Sequence, residues 1–201
     1  MTNDESREVP SDRCEGCGQV TPNYDIVHYG SIDSGYRDLC GRCVNADIAR
    51  RCGVQDFEHV SLAPVAMADR SGTMHEFHFR TSLFGDIVSI EAFELKSGHP
   101  AGYQFQIVGD PEDERFALMA RLIERMRRSL SVSYLSDDGD GLQIADRTVC
   151  GRIDCDLDQP LRTPQVVIDG REISWEDFGR MLMTFEGWQF KLQVFDRSEE
   201  P

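Results

Sequence analysis

The sequence predicts an α+β protein in which a small four-cysteine module precedes an antiparallel β-sheet domain with two main helices. Three observations carry that prediction. Two C-x-x-C pairs, Cys14/Cys17 and Cys40/Cys43, lie 22 residues apart near the N-terminus. From about residue 60 extended apolar runs alternate with glycine-rich and polar turns, the texture of a β-meander. Two later stretches, after Asp110 and after Ser174, place apolar residues at helical spacing.

Taken in chain order, residues 1–12 are polar and acidic and are expected to be a disordered tail. Residues 13–53 form the cysteine module, residues 60–196 the α+β domain, and residues 197–201 a second tail. No apolar run approaches the roughly 18 residues that span a bilayer, and the first residues lack the apolar core of a signal peptide. A cytoplasmic protein without membrane contact is the expectation. The net charge of −15 repels phosphate backbones, so wrapping around nucleic acid is disfavoured.

Seven cysteines in a reducing compartment point to metal ligands and buried thiols before disulfides. In Cys14-Glu-Gly-Cys17-Gly18 the glycine after the second cysteine tolerates positive φ, which lets a tight knuckle turn amides towards the sulfurs. The intervening YDIVHY, GSIDSG and YRDL segments read as strand, turn and returning strand, which brings Cys40-Gly-Arg-Cys43 back to the first knuckle. A short helix starting at Cys43 and stopping at Gly53 would aim its free N–H groups at the thiolates. Four thiolates close a tetrahedral shell and leave no vacant position for catalysis, so one structural Zn2+ held by Cys14, Cys17, Cys40 and Cys43 is expected. The competing readings are an iron centre and a redox dithiol. The order of knuckle, hairpin, knuckle and helix resembles a treble-clef or zinc-ribbon module, and the segment Leu39–Val44 is similar to the zinc-binding domain of the Clp unfoldase. That resemblance covers residues 13–53 only, and it implies a docking module for substrates or adaptors. The chain departs from it in a longer, glycine-flanked hairpin and in having no ATPase after it.

Cys52, at the end of the proposed helix, is expected to be a buried thiol, and Cys150 and Cys155 to point to opposite faces of a strand. Strands are expected at 64–69, 73–81, 87–96 and 103–108, with His75 and His78 diverging on opposite faces. Asp110-Pro-Glu-Asp113 has the composition of a helix start, and Phe116, Met119, Ala120, Ile123, Met126 and Leu130 form the expected buried stripe. Arg121, Arg125 and Arg128 lie on another face, where internal neutralisation is the expected role. Asp154, Asp156 and Asp158 alternate with Ile153, Cys155 and Leu157, which suits a half-exposed strand better than a calcium loop. At the end, Val166–Ile168 turns at Asp169-Gly170 into a second strand. Ser174 caps a helix whose inner face is Phe178, Met181, Leu182 and Phe185, and Trp188–Val194 alternates like a one-sided strand.

No G-x-S-x-G, P-loop, G-x-G-x-x-G or H-E-x-x-H pattern nominates a catalytic residue. The expected role is therefore a protein–protein interaction or adaptor function built on structural zinc, with another protein as partner. The alternatives are nucleic-acid binding through the module and the Arg121/Arg125/Arg128 face, and an enzymatic site in the C-terminal domain. Since the two cores look separate, chelation is expected to unfold residues 14–53 and leave the larger domain's helix signal mostly intact.

Overall fold

The computed structural model describes residues 9–137, 139, 141–156 and 163–200. Most of the N-terminal tail, part of the SDDGDG turn, and Leu157 and Asp158 of the aspartate alternation lie outside these residues. The architecture is mixed α and β with antiparallel sheets and three helices, as the sequence predicts.

The chain opens with two small hairpins, β1 (Ser11–Arg13) with β2 (Val20–Pro22), and β3 (Ile26–Ser31) with β4 (Gly35–Cys40). Helix α1 (Gly41–Cys52) follows at once and stops at Gly53, whose φ of 72° is the left-handed C-terminal conformation. A loop then leads to β5 (Val65–Ala68), β6 (Met74–Phe84), β7 (Ile87–Lys96) and β8 (His99–Gly109), which form an antiparallel sheet in sequence order. The last two of the predicted turns shrink to two residues each, while the first spans residues 69–73. Gly85-Asp86 and Ser97-Gly98 suffice, so β6 runs on through Phe84 and β8 begins at His99.

Helix α2 (Arg115–Leu130) begins later than the sequence suggests. The acids before it bond locally instead. Asp113 Oδ2 accepts from the Asp110 N–H at 2.9 Å, and Asp110 Oδ1 accepts from the Glu112 N–H at 2.8 Å. These short-range bonds compete with a first helical turn. The buried face is also rotated. Leu118, Leu122, Met126 and Leu130 pack on Phe77, Phe79, Leu83, Val88, Ile90, Phe105 and Ile107, flanked by Met119 and Ile123. Phe116, roughly a quarter-turn from that face at 100° per residue, is exposed. The opposite sheet face is polar at its centre. There Arg80 binds buried Glu91 at 2.6 Å and donates to the Tyr24 carbonyl at 3.0 Å, while the Tyr24 ring meets Phe93 edge-on.

The remaining chain forms β9 (Leu135–Asp137) with β10 (Leu142–Ile144), then β11 (Arg152–Cys155), β12 (Pro164–Ile168) and β13 (Arg171–Ser174), then α3 (Trp175–Leu182). Leu135, Val166, Ile168, Ile173 and Met181 make a second core. Ser174 caps α3 by accepting the Asp177 N–H at 3.0 Å. In β11 the alternation is inverted, because Arg152 turns inward to the Gly102 carbonyl (3.0 Å) and Asp154 (2.8 Å), leaving Ile153 outside. Trp188–Val194 forms no strand. After Gly187 (φ 83°) the segment pairs with no strand, and its apolar side chains stand in solvent.

Candidate metal centre

The four cysteines predicted to share an ion are brought together. One sulfur from each of Cys14, Cys17, Cys40 and Cys43 lies within 4.8 Å of every other. Cys17 and Cys40 sulfurs stand 3.8 Å apart. A tetrahedral ion with metal–sulfur bonds of about 2.3 Å requires sulfurs about 3.8 Å from one another, so the cluster has the dimensions of a four-thiolate site.

Local geometry explains how. The first knuckle closes through Gly18 N–H to the Cys14 carbonyl (2.8 Å), with Gly18 at φ 74° as its position after the cysteine predicts. The knuckle leaves little room at Gly16, since a Cβ there would crowd Leu39 Cδ2 at 3.1 Å and the Cys43 sulfur at 3.2 Å. The N–H groups of Gly16 (3.4 Å) and Cys40 (3.2 Å) donate to the Cys14 sulfur. The second knuckle is the start of α1, two residues earlier than the sequence suggests, with Cys40 as the N-cap and Cys43 in the first turn. Burial opposes ionisation of Cys14, but the N–H groups of Cys40, Cys17 and Gly16 outweigh it and bring the thiol down to about 6. Burial and the neighbouring sulfurs push Cys40 and Cys43 the other way. Four thiolates therefore share this space only when a cation neutralises them.

Two residues that sequence reading passed over complete the site. Asp25 lies against the backbone of Gly41 at the start of α1, where burial raises its pKa while the Gly41 N–H favours its carboxylate form. Gly41 permits that approach, because a Cβ there would sit 2.5 Å from Asp25 Oδ1. Gly41→Ala is thus expected to displace the carboxylate and lower the stability of the module by about 1 kcal/mol, checked by thermal denaturation of the metal-loaded protein. The other residue is Asn45, only 2% exposed. Its Nδ2 donates to the Thr81 carbonyl at 2.7 Å and its Oδ1 accepts from the Leu83 N–H at 2.9 Å. β5 pairs only with residues 74–77 of β6, so Asn45 supplies to the rest of that edge what a neighbouring strand's peptide would. Ala49 and Ile48 of α1 join the central core as well. The module is docked on the sheet.

Three family models match consecutive stretches of the chain. They are Domain of unknown function (DUF7685) over residues 13–55, Domain of unknown function (DUF7686) over 58–131 and Domain of unknown function (DUF7713) over 132–199. The first holds the four cysteines and α1, the second the four-stranded sheet and α2, the third the second core. No curated protein and no solved structure matches the chain.

The other candidates behave differently. Cys52, the last residue of α1, is exposed rather than buried. Cys150 and Cys155 join no metal-ligating group among the described residues. His75 binds Glu94 at 2.8 Å and Asp69 at 3.3 Å, whereas His78 turns to Glu76 on the opposite face, so the two diverge as predicted. Of the arginines, Arg125 donates to the Gln106 (2.7 Å) and Ser198 (3.0 Å) carbonyls, and Arg128 pairs with Glu124 and Glu200. No helix among the described residues is long and apolar enough to cross a membrane.

Proposed function

We propose that Cys14, Cys17, Cys40 and Cys43 hold one structural zinc ion, and that the protein acts as an adaptor or regulator through contact with other proteins. The observation that carries this reading is the four-sulfur cluster, whose closed shell leaves the ion no open position for substrate. When bound, zinc supplies charge neutralisation and a cross-link between hairpin and helix rather than reactivity. The succession of knuckle, β3–β4 hairpin and helix-borne knuckle supports the treble-clef description and its likeness to a docking module.

The nucleic-acid alternative loses support at Arg125 and Arg128, which are already engaged by backbone carbonyls and carboxylates of the same chain. Affinity capture with the metal-loaded protein and with a Cys40→Ser variant tests the contact role. Partners retained by the first and lost by the second are expected; an identical background from both would overturn it.

A further inference from the structure

Two unsatisfied features of this chain complement one another. The first is a groove of about 580 Å3 between β5 and α2, lined by Val65, Met67, Ile123 and Leu130 together with Asp69, Arg70 and Arg127. β5 is an edge strand. The Arg70 N–H donates to the Leu130 carbonyl on the side away from β6. By the two-residue period of a strand, Ala66 and Ala68 present their N–H and C=O groups to that same open side. Neither residue makes a further backbone bond among the described residues.

The second feature is the unpaired segment 188–195. Trp188 leans on Arg147, but Phe190 (91% exposed), Leu192 (74%) and Val194 (72%) stand in solvent and alternate along the sequence with Gln189, Lys191 and Gln193, so the segment would be apolar on one face if it joined a sheet. An open edge beside an apolar groove and an unpaired segment whose sequence alternates apolar and polar residues are the two halves of strand addition.

We infer that the groove between β5 and α2 takes the 188–195 segment of a second copy of this chain, added as a fifth strand beside β5. A chain's own segment does not occupy its own groove: none of residues 188–195 lines it, and their apolar side chains stand in solvent. Residues 197–199 are held at the β8 side, by Arg125 to the Ser198 carbonyl and by Arg197 to Glu91, and β5 lies three strand spacings away, about 14 Å. The inference deepens the contact role by naming one partner and does not depend on the metal. Its failure would leave zinc binding and contacts with other proteins standing.

The test is the mass in solution of the metal-loaded full chain, by light scattering and sedimentation. The native chain is expected to associate reversibly. Phe190→Asp with Leu192→Asp removes the segment's apolar face, and Ala66→Pro removes an outward edge N–H that no intramolecular bond uses. Each is expected to weaken association at least about tenfold with unchanged circular dichroism and metal content. A mixture of the two variants is expected to restore one interface, because one supplies a groove and the other a segment. A labelled peptide of residues 186–196 should bind the segment variant and fail to bind Ala66→Pro, which keeps the test decisive if mixing is complicated by folding. A native chain that stays monomeric, or association indifferent to both variants, would overturn the proposal.

Discussion

Removing the zinc, by chelation or by Cys40→Ser, is expected to unfold residues 13–55 and also to strip exchange protection from the Leu83 amide in the central sheet. Apparent binding free energies of structural zinc sites are about 10–16 kcal/mol, far more than two short hairpins and a 12-residue helix supply alone. Cys40 and Cys43 anchor the first turn of α1, and Asn45 follows within the next few residues. Loss of the ion therefore releases the side chain that bonds the Leu83 N–H and the Thr81 carbonyl. This differs from the expectation of separate cores, because Ile48 and Ala49 of the module lie in the sheet's own core. Hydrogen exchange with and without chelator checks it. Amides of β12 and β13, in the second core, should keep their protection, whereas protection at Leu83 that ignores the metal would break the proposed coupling.

Asn45→Ala is expected to cost the central unit about 3 kcal/mol, since it leaves two buried backbone groups without partners. Asn45→Asp should be at least as damaging. It keeps an acceptor for Leu83 but faces the Thr81 carbonyl with a buried negative charge in place of a donor. Denaturant titration of the metal-loaded variants measures both effects, and metal content should stay at the native level because no cysteine is touched. A loss under 1 kcal/mol for Asn45→Ala, on the order of one ordinary hydrogen bond, would mean that the docking rests on Ile48 and Ala49 alone.

The cysteine spacing, the Gly18 turn, the hairpin and the Gly53 stop were all legible, because each is a local requirement written in adjacent residues. The four central strands were legible for the same reason. What escaped reading depends on partners far along the chain. Asn45 sits on a short helix like any polar residue until β6 is placed beside it, and Asp25 reads as an ordinary residue of the first strand until Gly41 approaches it. Leu118 and Leu122 were passed over because extending α2 back to Asp110 drew the inner face through Phe116. The inward Arg152 needed the Gly102 carbonyl of β8, 50 residues away. Trp188–Val194 shows the opposite error. Its alternation is that of a strand, but period alone does not provide a neighbour to pair with.

The most direct measurement is elemental analysis of the folded, fully reduced chain, alongside the Cys40→Ser variant. One zinc per chain in the first and none in the second is the predicted result. A folded native chain without zinc, or one carrying iron instead, would contradict the account at its centre.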